Sequence, residues 1–278
     1  MHQKKWTKRA LALSAFLFVL WWALGTGAIW WICLRALLLF CGAFVALTLL
    51  YFLSLFIIAS LVDQRKPVTR VHHGFRKVTA ETMRFILLLG RIRVHTEGVE
   101  KVDRTKPFLL VANHRSNFDP FAAMQAFKGT ELVYICKPAI FKIPVAGGFA
   151  HMSGFLSINR EDNREGLKTI LRAIDILKEE RTSVAVYPEG TRNKTDADLL
   201  PFRAGAFSMA KRANVPIVVV CTEHTEDAAH RFLLKRTDVT FKVLDVIPPE
   251  RIANLHTTEI SDAVYAQMKA YINRKERN

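Results

Sequence analysis

The stretch Asn113-His114-Arg115-Ser116-Asn117-Phe118-Asp119-Pro120 follows the apolar run Phe108-Leu109-Leu110-Val111-Ala112 with no spacer. An imidazole and a carboxylate five residues apart at the mouth of a buried strand are the parts of a general base. The carboxylate can hold one ring nitrogen as a donor and leave the other free to take a proton. On one straight helix five residues separate two side chains by about 140°, so His114 and Asp119 meet only if the chain between them turns. A strand-turn-helix supplies that turn. The competing reading is structural, with Asp119 as N-cap, Pro120 at N1 of a helix over Phe121–Phe127, and His114 as a loop residue.

Two further strand exits carry polar groups. In Ser183-Val-Ala-Val-Tyr-Pro-Glu-Gly-Thr-Arg192, Pro188 ends the strand and Gly190 allows close backbone approach. Glu189, Thr191 and Arg192 then offer an acceptor, a hydroxyl and a bidentate clamp for an anion. In Gly154-Phe-Leu-Ser-Ile-Asn-Arg160 an arginine closes a short strand and can reach an anion. Read by spacing alone, both are equally compatible with surface turns bearing ordinary charges.

Positioning these groups requires a sheet. From about Glu81 apolar runs alternate with helical patterns, and strands are expected at Arg93–Glu97, Phe108–Ala112, Leu132–Cys136, Phe155–Ile158, Ser183–Tyr187, Ile217–Cys221 and Thr240–Val246. Between them, Arg164–Arg181 has Leu167, Ile170, Leu171, Ile174 and Leu177 at helical spacing. Phe202–Asn214 ends in the C-cap candidate Asn214, and a last helix runs from about Glu259 to Asn273. This alternation predicts an α/β domain over 81–278, a sheet flanked by helices. Ligands of such sheets bind outside the carboxyl ends of the strands, where the three polar exits lie.

The first 62 residues are of another kind. Between Ala10 and Val62 the only strongly ionisable group is on Arg35. As one helix the run would measure roughly 80 Å against a hydrocarbon slab of ~30 Å, so it must double back. Gly25-Thr26-Gly27, bracketed by Trp21, Trp22, Trp30 and Trp31, marks the turn, and a second possible turn lies at Arg35. The segment 1–62 is therefore expected to be a membrane-inserted helical hairpin, joined to the α/β domain by a polar linker over 63–80. The limb Ala10–Leu24 spans roughly 22 Å, which leaves both a full crossing and entry into one leaflet open. Lys4, Lys5, Lys8 and Arg9 on one side and Arg65, Lys66 and Arg70 on the other place both ends in the cytoplasm. This predicts residence in the inner (cytoplasmic) membrane. An apolar run of this length is too long for a cleaved signal peptide.

The formal charge of +15 fits an anionic membrane face. A basic strand with interleaved aromatics is missing, which argues against nucleic acid. Four dispersed cysteines and nine histidines show neither C-x-x-C nor H-E-x-x-H spacing, so neither a disulfide framework nor a metal site is expected.

The polar exits also match a family pattern. Asn113–Pro120 resembles the H-x-x-x-x-D block of the glycerolipid acyltransferases, Gly154–Arg160 their second block, Tyr187–Arg192 the third and Val215–Val220 the fourth, in the same order. The N-terminal hairpin is similar to the two-helix anchor of the bacterial 1-acylglycerol-3-phosphate acyltransferases. Ser157 and Asn159 stand where the second block usually has an aromatic and an acidic residue. Val219 and Val220 continue the run where the fourth block usually turns at a proline.

The resemblance implies a mixed sheet flanked by helices and transfer of an acyl group to the sn-2 hydroxyl of lysophosphatidic acid. The donor is acyl-CoA or acyl carrier protein, a substrate rather than a cofactor. It implies His114 as base, Asp119 as its partner, Arg160 and Arg192 on the phosphate, and Glu189 and Gly190 shaping the acceptor site beside Thr191. Lys137, at another strand exit, is a further anion-site candidate. The rival acceptors are glycerol 3-phosphate, an ornithine lipid or a lysophospholipid. A lipid hydrolase would need a nucleophile, yet G-x-S-x-G is missing and Ser116, the nearest serine to His114, sits in no elbow. A non-catalytic membrane tether would leave the His/Asp pair without a purpose.

Overall fold

The computed structural model describes residues 14–15, 27–64, 73–159, 162–195 and 197–275. The chain divides into two compact units, 1–58 and 59–278. In the first, helix α1 (Gly27–Ser60) runs unbroken through Arg35, so the chain does not turn there. Its stretch Ile29–Ser60, with mean hydropathy 2.5, is long and apolar enough to cross a membrane. At 34 residues it measures about 51 Å. Helix α1 begins at Gly27, where the hairpin turn is expected; the limb before it lies outside the described residues apart from Ser14 and Ala15, which are helical.

The second unit contains α2 (His73–Leu89), β1 (Ile92–Glu97), β2 (Leu109–Ala112), α3 (Asp119–Ala126), β3 (Leu132–Cys136), α4 (Pro138–Phe141), α5 (Ala146–Met152) and β4 (Leu156–Ser157). There follow α6 (Asn163–Lys178), β5 (Ser183–Val186), α7 (Ser208–Ala213), β6 (Ile217–Glu223), α8 (Thr225–Arg231), β7 (Thr237–Ile247), α9 (Pro249–Ile252) and α10 (Thr257–Lys275). The strands form one mixed sheet in the order β1-β7-β6-β2-β5-β3-β4. Only β6 and β7 pair antiparallel, with a bulge at Val219/Val220; the other neighbours run parallel.

The near-continuous apolar runs of the central strands follow from burial on both faces. Leu109, Val111, Val184, Ile217 and Val219 join one core with α6, α7 and α10. Their alternates Leu110, Ala112, Ala185, Val218 and Val220 join the other with α2 and α3. Each fully buried Val, Leu or Ile contributes roughly 1.5–3 kcal/mol. Asp162 caps α6 by accepting the amides of Arg164 and Glu165 at 2.9 and 3.1 Å. Asn214, the expected C-cap of α7, takes the left-handed conformation at φ 54°.

The polar linker expected over 63–80 is shorter, because α2 already begins at His73. Within this stretch Arg76 and Thr79 are buried, while His73 and Lys77 stay exposed. Buried Arg76 donates to Ser153 O at 3.0 Å, Glu131 Oε2 at 2.7 Å and Thr182 Oγ1 at 3.0 Å, which ties the start of α2 to the α/β unit. A guanidinium satisfied by internal acceptors reads in sequence as a surface charge.

Candidate active site

Strand β2 ends at Ala112 in the middle of the sheet, between β5 and β6, and the chain turns at once into α3. The turn brings His114 Nδ1 within 2.7 Å of Asp119 Oδ2. Asp119 is not the N-cap that its neighbour Pro120 implies: it is the first residue of α3, and its carboxylate faces back over the preceding turn. Oδ2 also accepts the amides of Arg115 at 2.8 Å and Ser116 at 2.9 Å. Oδ1 accepts the hydroxyls of Thr225 and, at 3.3 Å, Thr222. The side chain is fully buried. Four other donors hold this carboxylate as an acceptor, which favours the tautomer in which His114 Nδ1 donates to it and Nε2 carries the free lone pair.

His114 is held from every side. Its amide donates to Glu189 Oε1 at 2.7 Å, and its carbonyl accepts the amide of Asn193 at 2.7 Å. Its ring stacks on Tyr187, centroids 4.3 Å apart and planes 21° from parallel. The Tyr187 hydroxyl is buried without a hydrogen-bond partner among the described residues. Burial pushes this phenol well above the ordinary tyrosine value.

Glu189 does not offer an open acceptor. Its second oxygen accepts the amide of Leu200 at 3.1 Å, so both oxygens are committed to backbone. Burial raises its pKa against the two amides, which hold it down. Gly190 follows at φ +72° in the turn closed by its amide to Tyr187 O at 2.9 Å, a conformation glycine takes without steric cost. Lys137, beyond the end of β3, reaches Thr191 Oγ1 at 3.2 Å, which sets a cation against the same loop. Arg192 is half-buried on that loop, directly before Asn193. Arg160 lies outside the described residues; β4, three residues earlier, pairs with β3.

Sequence reading missed Asn113, Asn193, Thr222 and Thr225. Asn113 Oδ1 accepts the Thr222 amide at 2.7 Å and its Nδ2 donates to Thr222 O at 3.0 Å, stitching the exit of β2 to that of β6. The strand-exit rule applied to Cys221-Thr-Glu-His-Thr225 would have flagged both threonines. A cavity of about 380 Å³ borders Asn113, Arg115 and Thr222, but Asp198, Glu223 and Glu226 make its lining acid-rich. Another, of about 370 Å³, lies at the opposite end of the sheet beside Leu132.

The other nucleophiles are quiet. Burial pushes the Cys136 and Cys221 thiols up to about 12, far from thiolate at neutral pH. Ser116 is buried, and its hydroxyl accepts the amide of Phe118 at 3.2 Å. Among the described residues, the site presents an oriented imidazole with neither a reactive thiol nor a free serine hydroxyl beside it.

Residues 92–223 match the model of the Acyltransferase family, from β1 through the end of β6. The 1-acyl-sn-glycerol-3-phosphate acyltransferase of Saccharomyces cerevisiae is 29% identical over 66% of this chain and 60% of its own length. The Salmonella typhimurium enzyme of that name is 28% identical over 60% of this chain and 66% of its own. The chain thus spans less than two thirds of either. The human 1-acyl-sn-glycerol-3-phosphate acyltransferase beta is 28% identical over 86% of this chain and 90% of its own length. The crystal structure of the 1-acyl-sn-glycerophosphate (LPA) acyltransferase of Thermotoga maritima superposes with a TM-score of 0.61 at 18% identity, over 82% of this chain and 90% of that one, which is a likeness of fold. The matched segment begins at β1 and closes on the strand that supplies Thr222, with the His114–Asp119 turn inside it, so this part of the chain carries an acyltransferase-family domain.

Proposed function

We propose that the chain transfers a fatty acyl group from a thioester, acyl-CoA or acyl carrier protein, to the sn-2 hydroxyl of 1-acyl-sn-glycerol 3-phosphate, giving phosphatidic acid for phospholipid synthesis. The observation that carries the chemistry is His114, its Nδ1 held by a fully buried and fully accepted Asp119 and its other nitrogen available. A lipid hydroxyl is a poor nucleophile near neutral pH and must lose its proton as it attacks. Nε2 takes that proton while the hydroxyl oxygen bonds to the thioester carbonyl carbon. Asp119 stabilises the imidazolium that forms. When the tetrahedral adduct collapses, the carbon–sulfur bond breaks and the imidazolium proton passes to the departing thiolate. The products are an ester and a free thiol, with His114 neutral again.

The two high-pKa thiols and the engaged Ser116 favour this direct transfer over an acyl-enzyme. Placing donor and acceptor together can supply several kcal/mol of the barrier. Lys137 after β3, Arg192 on the loop after β5 and Arg160 after β4 form the side on which the phosphate binds. Glu189 and Gly190 shape that loop rather than touch the lipid. No cofactor is needed beyond the acyl donor. Helix α1 holds the chain in the membrane, with the catalytic unit on the cytoplasmic face.

The test is acyl transfer by the purified chain in liposomes, with oleoyl-CoA or acyl carrier protein as donor. Acceptors are 1-acylglycerol 3-phosphate, glycerol 3-phosphate, an ornithine lysolipid, a lysophospholipid, or none. Phosphatidic acid should form only with the first, and His114→Ala should lower the rate by at least about 100-fold. Turnover that survives the substitution would sink His114 as base. Preference for another acceptor would reassign the substrate, and thioester loss without acceptor would indicate a hydrolase.

A further inference from the structure

The segment made of the end of α8 and the loop that joins it to β7, His230-Arg-Phe-Leu-Leu-Lys-Arg236, carries no acidic residue. Leu233 and Leu234 stand 59% and 76% exposed at its tip. It is tied to the end of α2: Thr237 N donates to Arg91 O at 3.2 Å, and the Phe232 ring lies so close over Gly90 that a Cβ there would overlap it. Leu88, two residues earlier, is 73% exposed. Three large apolar side chains are thus presented to solvent where two elements meet, with Arg91, Arg231, Lys235 and Arg236 exposed around them. Arg231 and Arg236 pair with Asp227 at 3.7 Å and Asp238 at 2.9 Å, so the acids that answer these cations lie outside the segment.

The position matters as much as the composition. Thr237 pairs with Ile92 at the start of β1, and β7 runs antiparallel to β6, with Thr240 opposite Glu223. The segment before Thr237 therefore lies at the end of the sheet where β2 delivers His114. Phe232 meets Phe118 of the His114–Asp119 turn with ring centroids 5.7 Å apart, and Phe118 meets Phe121 at 5.3 Å. An aromatic path thus joins the exposed leucines to the turn that holds the base.

We propose that Leu88, Leu233 and Leu234 insert into the surface of an anionic phospholipid bilayer, with Arg91 and Lys235 on its headgroups, as a contact made by the catalytic unit itself. Exposed leucines rimmed by cations are the composition of an interfacial binding element, the apolar tips entering the acyl boundary and the charges staying at the headgroups. An acidic soluble partner would be answered by the cations alone and would leave the leucines unexplained. The inference rests on the acyltransferase reading only in that a lipid acceptor then enters at this end.

The test uses the full chain in vesicles of phosphatidylcholine with phosphatidylglycerol, with Cys33 and Cys41 replaced by Ser. An environment-sensitive dye is placed at Leu234→Cys or, as a second position, Lys235→Cys. The control is Lys178→Cys, at the exposed end of α6 that leads into the start of β5, at the other end of the sheet. Lipids carrying a shallow nitroxide should quench the dye at 234 and 235 strongly and the dye at 178 little, with less quenching when phosphatidylglycerol is omitted. In unlabelled chain, Leu233→Ser with Leu234→Ser should lower transfer to a vesicle-borne acceptor by about tenfold and leave a water-dispersed short-chain acceptor unchanged. Equal quenching at 234 and 178 overturns the proposal. So does shielding of the dye by acyl carrier protein without quenching by lipid. Quenching at 234 by a chain that transfers no acyl group supports the bilayer contact while overturning the acyltransferase reading.

Discussion

Asp119 is buried as a carboxylate, which is costly unless every lone pair is answered. Here two backbone amides, two threonine hydroxyls and the imidazole answer it. The residue-scale prediction follows from that arrangement. In Asp119→Asn the amide oxygen can keep the Arg115, Ser116 and His114 donors, and the new NH2 can donate to threonine hydroxyls that rotate to accept. Folding should survive, so the melting temperature should stay within a few degrees, while the charge proposed to stabilise an imidazolium on His114 is gone. We expect kcat to fall by roughly 100- to 10,000-fold with little change in KM, measured by steady-state transfer alongside a thermal melt. A variant with wild-type kcat would remove Asp119 from the chemistry. The pair itself was legible because both members lie in one eight-residue stretch. Thr222 and Thr225 were not, since they arrive from more than 100 residues downstream.

At the scale of elements, the exits of β2 and β5 are laced into one loop system. Glu189 accepts from His114 and from Leu200, and Asn193 returns a hydrogen bond to His114 O. The strand-exit turn offered Glu189 as an acceptor, and the family resemblance gave it a part in shaping the acceptor site. The fold turns it inward. Glu189→Gln leaves one of two inward amides facing an NH2 group, at a cost of about 1–3 kcal/mol, and loosens the loop around His114.

The pH dependence has a definite sign. Burial raises the Glu189 pKa, so the folded chain holds this proton more tightly than the unfolded chain. Its contribution to stability is complete below the unfolded value of 4.5 and declines as pH rises through the raised folded value. Urea midpoints followed from about pH 4 to pH 7 should show this decline in wild type, and Glu189→Gln should lack that component. Parallel curves for the two proteins would contradict the assignment.

At the scale of the molecule, both faces of the sheet are covered by helices of the second unit, and the two cores draw their members from Leu87 to Met268. Produced alone, residues 59–278 should therefore unfold in a single cooperative transition with defined near-ultraviolet circular dichroism. A broad melt would mean that α1 is needed to complete the fold. Buried Arg76, holding Glu131, Thr182 and Ser153, anchors the N-terminal edge of this unit.

The sequence by itself determined all seven strand positions to within a few residues; β2, β5 and β6 stand out because strands buried on both faces must be apolar almost throughout, and β7 because its buried residues alternate. It also determined the apolar character of the first sixty residues and the His114/Asp119 candidates, since their spacing demands a turn where a strand ends. Only the tertiary structure decided that Asp119 looks back to the histidine instead of capping α3, that Glu189 serves backbone amides, and that α1 continues through Arg35. It alone brought Leu88 and Leu233–Leu234 to the end of the sheet that carries His114. Which donor satisfies a buried carboxylate, and which leucines stay exposed, depends on atoms from distant segments meeting in space, and no local pattern encodes those meetings.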